Sequence, residues 1–168
     1  MTEIYDVLDI SRYIINSCNE KNYIISNLKL QKLLYFVQGF SLALFGQRCF
    51  DDDIQAWDYG PVCPKAYHFF KEYGANNIPP IKEYEKVCFD GYNTISWRKF
   101  KFDDKSIDDQ TRELIDAVID NYAEYSASML VDITHNQEPW IKTYTENNGK
   151  KNKNISDKLI KNYFRKVT

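Results

Sequence analysis

The sequence predicts a mainly α (α+β) fold, a compact single domain of six or seven helices around a central apolar helix, with a small β element. Three observations carry that prediction. Residues 26–46 form a long helical run that is apolar on nearly every face, the mark of a helix buried on all sides. Shorter amphipathic runs recur on either side of it at a period near 3.6. Between them, two stretches rich in turn residues and β-branched or aromatic side chains break the helical period.

Taken in order, Ile4, Val7, Leu8, Ile14, Ile15 and Cys18 recur at helical spacing with Asp6, Asp9, Arg12 and Asn16 opposite them, a first amphipathic helix. Ser26 can cap the second helix, whose apolar positions Leu30, Leu33, Leu34 and Val37 share one face while Tyr35, Phe36, Phe40 and Leu44 fill much of the rest. Gly46 can end it in the left-handed conformation. Alternation at Ile54, Ala56 and Asp58 permits a short strand before the Gly60-Pro61 turn. Pro64 opens an aromatic helix through Phe70 that stops at Gly74. Residues 76–105, with a turn signal at Asp90-Gly91, read as a hairpin-like insertion. Ser106 with Asp109 forms a capping-box variant for a fourth helix, Ser126 caps a fifth, and Pro139 begins a sixth. The polar run 147–154 reads as a flexible connector between residues 1–146, the helical domain, and residues 155–168, a last amphipathic helix docked on it.

The chain has 168 residues, a size at which one core needs neither metal nor disulfide. A net charge of −2 supplies no polyanion-binding field; the Lys29/Lys32 edge and the Lys150, Lys151, Lys153 run read as solvated faces, so nucleic acid is disfavoured as a partner. No apolar run approaches the roughly 20 residues that span a bilayer, and the first residues do not look like a secretory leader. The expectation is therefore a cytoplasmic protein without a membrane partner, whose four scattered cysteines are free thiols.

Catalytic candidates are few. The two histidines, His68 and His135, are far apart and share no zinc-ligand spacing with the cysteines, and the glycines are isolated rather than gathered in a phosphate loop. His68 reads as a partly buried packing residue, and His135 as a helix-end residue, although a His135 and Glu138 pair keeps an enzymatic alternative open. No catalytic residue, metal or cofactor is assigned.

Three blocks, Leu28-Lys29-Leu30-Gln31-Lys32-Leu33-Leu34-Tyr35-Phe36, Ala56-Trp57-Asp58-Tyr59-Gly60-Pro61-Val62 and Thr134-His135-Asn136-Gln137-Glu138-Pro139-Trp140, occur in that order. Together they resemble the signature blocks of the Panacea family of SocA-like antitoxins. The resemblance implies a helical domain with a small β element, found in phages, prophages and mobile elements, which neutralises a cognate toxin by direct contact and performs no catalysis. The partner implied is a toxin, expected from an adjacent gene; self-association into a homo-oligomer stays open, and a phage accessory role as adaptor or anti-defence factor is the alternative.

Within the blocks, Leu30, Leu33 and Leu34 read as core packing. Lys29, Gln31 and Lys32 either line a groove or satisfy buried partners. Trp57, Tyr59, Gly60 and Pro61 read first as a turn that locks the β element onto the central helix, with Trp57 and Tyr59 carried, like Lys29, Gln31 and Lys32, as candidate partner contacts. His135, Pro139 and Trp140 read as a helix-end clasp.

Overall fold

The computed structural model describes residues 3–150 and 153–168. Seven α-helices among them build the fold, and two two-stranded antiparallel sheets complete it. Helix α1 spans Val7–Glu20 and starts later than the apolar spacing suggested, because the Asp6 carboxylate accepts the Leu8 N–H at 2.9 Å and caps it there. Ile4 is left exposed, and Tyr5 instead donates its N–H to the Cys49 carbonyl.

Helix α2, Asn27–Leu44, is the axis of the molecule. Ser26 Oγ accepts the Lys29 N–H, and the chain leaves the helix through Gly46 at φ +76°, a conformation that glycine adopts without the Cβ penalty. Helices α1, α3 (Pro64–Phe70), α4 (Asp109–Tyr122), α5 (Ala127–His135) and α7 (Asp157–Val167) all pack around α2. The contact with α7 rests on Gly39: a Cβ there would lie 2.3 Å from the Phe164 ring, so only glycine leaves the ring its seat. Phe164 in turn meets Tyr35 and Phe40 edge-on, with centroids 5.3 and 4.9 Å away.

Helix α4 corrects one sequence expectation. Its cap is Asp108, which accepts the Thr111 N–H at 3.0 Å, whereas Ser106 lies in a preceding short 3₁₀ turn. Asp108 also accepts the Tyr5 hydroxyl at 2.7 Å, so the cap doubles as a tie to the N-terminal segment.

Strands β1 (Gln55–Trp57) and β2 (Gly60–Val62) form a tight hairpin against α2 and α5. The polar run expected as a flexible connector is pinned where it meets this hairpin: the Ala56 N–H donates to the Lys153 carbonyl at 3.0 Å, and the Ile155 N–H to the Ile54 carbonyl at 2.7 Å. Helix α6, Glu138–Glu146, packs beside β1 and α7. Strands β3 (Glu83–Asp90) and β4 (Thr94–Lys101) make the expected insertion, a separate hairpin in which Glu83 faces Lys101 and Asp90 faces Thr94. No helix among the described residues is long and apolar enough to cross a membrane.

Candidate partner-binding surface

The three sequence blocks converge on the β1–β2 turn. From the first, Lys32 is wholly buried, and its ammonium donates to the Pro61 carbonyl at 3.0 Å. Among the described residues it has no carboxylate partner, and desolvation alone lowers its pKa to about 7. Gln31, also buried, accepts the Cys63 N–H at 3.0 Å and donates to Asn27 Oδ1 at 3.0 Å. Lys29 threads its stem through the core and donates to the Ala123 carbonyl at the end of α4; burial lowers its pKa too.

These three polar side chains therefore satisfy buried acceptors and donors, and the solvated Lys29/Lys32 edge expected from the sequence does not exist. The physical reason is the stem: four methylenes reach from an apolar helix face to main-chain carbonyls that no periodicity reveals. Leu30, Leu33 and Leu34 are fully buried in the same core.

In the second block, Gly60 sits at φ +102°, where an added Cβ would lie 2.7 Å from Thr134 Oγ1 and 2.9 Å from Lys32 Cε. The turn can thus close on both helices only because Gly60 has no side chain. Pro61 is buried and supplies the carbonyl that Lys32 holds. The third block closes from the other side. Trp140 Nε1–H donates to the Trp57 carbonyl at 2.8 Å, the Trp140 ring stacks between His135 at 4.0 Å and Tyr144 at 4.5 Å, and the Tyr144 hydroxyl donates to Asp58 at 2.8 Å. Pro139 lies buried in the first turn of α6.

What the turn leaves open is aromatic. Leu28, Trp57, Tyr59, Val62, Tyr67 and Lys71 line a pocket of about 330 Å³ between the start of α2, the turn and α3. Trp57 meets Tyr67 edge-on with centroids 5.0 Å apart, and its Nε1–H donates to Gln55. Tyr59 stands at the rim, 68% exposed. Two polar side chains at the pocket are used within the chain: Asn27 Nδ2 donates to the Tyr67 carbonyl, and Asp58 accepts from Tyr144. Trp57 and Tyr59 are brought together here, while Lys29, Gln31 and Lys32 lie beneath. Sequence reasoning assigned neither Leu28, the first residue of the first block, nor Tyr67, in the aromatic run that ends α3, to a binding surface.

The remaining titratable candidates are placed as follows. His68 is exposed, not partly buried, with its ring 6.0 Å from that of Trp57. Glu138 is held by Lys142 and Lys166, and those cations lower its pKa, while His135 stacks on Trp140. The four cysteines are free thiols; burial raises Cys18 to about 11 and Cys49 to about 12. Among the described residues no group of three or more His, Cys, Asp or Glu side chains could hold a metal ion.

Residues 30–141 match the family described as Antitoxin SocA-like, Panacea domain. The chain is also similar to Antitoxin SocA of Caulobacter vibrioides (strain NA1000 / CB15N), with 33% identity over 144 residues, covering 84% of this chain and 72% of the relative. No solved structure matches it.

Proposed function

We propose, from the premise that this chain belongs to the family of SocA-like antitoxins with a Panacea domain, that it neutralises a toxin protein by direct contact in the cytoplasm, without catalysis. One observation supports the reading beyond membership. The pocket at the β1–β2 turn presents Trp57, Tyr59 and Tyr67 on a frame in which the Asn27, Trp57 and Asp58 side chains are hydrogen-bonded inside the chain. Aromatic surface on a rigid, internally bonded frame suits the large side chains that anchor protein interfaces. The toxin is expected to be the product of an adjacent gene.

The test is co-expression. The adjacent gene alone should arrest growth, this chain should restore it, and the two should co-purify as a stable complex. Tyr59→Ala, at an exposed position, should weaken the complex by about tenfold or more and leave the melting temperature unchanged. Rescue without any complex would replace neutralisation by contact with an indirect mechanism.

A further inference from the structure

The β3–β4 hairpin has two unlike faces. Toward its turn the register pairs Val87 with Trp97 and Phe89 with Ile95 on one face, and Lys86 with Arg98 and Cys88 with Ser96 on the other, while toward its base the first face carries Glu85 opposite Lys99 and the second the Tyr84–Phe100 pair. An apolar face of this kind is ordinarily packed on a core. Here Phe89 is 79% exposed, Trp97 71%, Ile95 66% and the turn residue Tyr92 94%. At roughly 200 Å² per side chain this amounts to about 600 Å² of open apolar surface, close to the ~800 Å² that one partner brings to a standard interface. Charge does not favour a polyanion, because Arg98 pairs with Asp90 and Lys99 with Glu83 across the strands.

A cleft separates this hairpin from α3. Arg12, Phe69, Tyr84, Glu85 and Trp97 line both of its lobes, of about 830 and 190 Å³. At its floor the Arg12 guanidinium lies 3.7 Å from the centroid of Tyr84 and 5.9 Å from that of Phe69. Arg12 is only 5% exposed; its Nη1 donates to Asp9 at 2.7 Å, but its buried Nε–H has no acceptor among the described residues. An unmet donor of this kind is a cost that a ligand oxygen can remove. The cleft also adjoins the pocket described above. Helix α3 and the turn after it form the ridge between them, with Tyr67 and Lys71 on the pocket side and Phe69, Glu72 and Tyr73 on the cleft side.

We propose that the toxin occupies this cleft, straddling the α3 ridge, with a large apolar side chain between Trp97 and Phe69 and an oxygen acceptor presented to Arg12. The assignment rests on the antitoxin reading. Its size, its balance of three acidic and three basic side chains around Trp97 and Phe69, and its continuity with the pocket fit a protein segment.

The test measures calorimetric affinity of this chain for the purified product of the adjacent gene. Trp97→Ala should weaken binding by about tenfold or more and Phe89→Ser by less, both with unchanged melting temperatures because the side chains are exposed. Wild-type binding that persists undiminished in both variants overturns the cleft and leaves the antitoxin reading standing. If the adjacent product neither arrests growth nor binds the wild type, the antitoxin reading falls and the cleft assignment with it. Light scattering provides a third arm: a wild-type dimer that becomes monomeric in Trp97→Glu would show that a second copy covers the ribbon, and would also overturn the proposal.

Discussion

Helix α2 and the β3–β4 hairpin invert the usual relation between residue type and burial in opposite directions. In α2 two lysines and two glutamines sit inside the core, and in the hairpin an isoleucine and four aromatic residues stand in solvent. Each lysine in α2 ends on a single main-chain carbonyl, Ala123 for Lys29 and Pro61 for Lys32. Those bonds join α2 to the end of α4 and to the β1–β2 turn, so the buried polar groups specify which elements meet. In the hairpin Phe89, Ile95 and Trp97 are covered by no element among the described residues, and the proposed toxin contact would draw on that face. The difference teaches that burial in this protein follows which main-chain groups a side chain can reach as much as its polarity.

The sharpest way to break that comparison is to reverse both charges in α2. Lys29→Glu with Lys32→Glu would set carboxylates against carbonyls in a dry core, and an uncompensated buried charge costs on the order of 3–5 kcal/mol. The double variant should lose its cooperative thermal transition in circular dichroism. A melting temperature equal to that of the wild type would put both side chains back on the surface.

A subtler effect comes from protonation of Lys32. Its folded-state pKa of about 7 lies below the roughly 10.4 of an unfolded lysine. Between those values the unfolded chain holds a proton that the folded chain lacks, so the Lys32 contribution to stability rises with pH through that window. Cys18, Cys49 and Tyr5, whose folded pKa values are raised, act in the opposite sense at alkaline pH. They cancel when wild type is compared with Lys32→Met. Relative to wild type, the methionine variant should therefore be most stable at pH 7 and below, and should lose that advantage as pH rises toward 10, by at most about 1.4 kcal/mol per pH unit. Denaturant titrations at a series of pH values read the difference, and a flat difference would mean that Lys32 stays charged in the fold.

The smallest expected change is at the ribbon. Phe89→Ser together with Ile95→Thr should shift stability by only about 0.5 kcal/mol, since neither side chain leaves a core, and should reduce aggregation on concentration. A drop of several degrees in the unfolding midpoint would instead show that the ribbon packs on the helical body.

Local signals explain what was legible. The Ser26 and Ser126 caps, the stop at Gly46 and the apolar axis of α2 could all be read because capping and periodicity act within a few residues. Three ordered blocks could be recognised, but their convergence through Lys32–Pro61 and Trp140–Trp57 depends on main-chain carbonyls far away in sequence. Asp108 displaced Ser106 as the cap of α4 because it also meets Tyr5, another distant partner. The ribbon was legible as a hairpin, but its exposure was not, since alternation specifies two faces and says nothing of what covers either one. The cleft, formed between that ribbon and α3, had no sequence signature at all.

The seat that Gly39 leaves for Phe164 has a consequence for biosynthesis. Helix α2 is translated early, yet the ring that covers this part of it belongs to the last helix. At roughly 5–20 residues per second, that stretch of α2 waits on the order of ten seconds in the nascent chain before its cover arrives. A product truncated after α6 would leave Tyr35, Phe36 and Phe40 without Phe164 over them, exposed apolar surface of the kind that makes incompletely folded chains prone to aggregate.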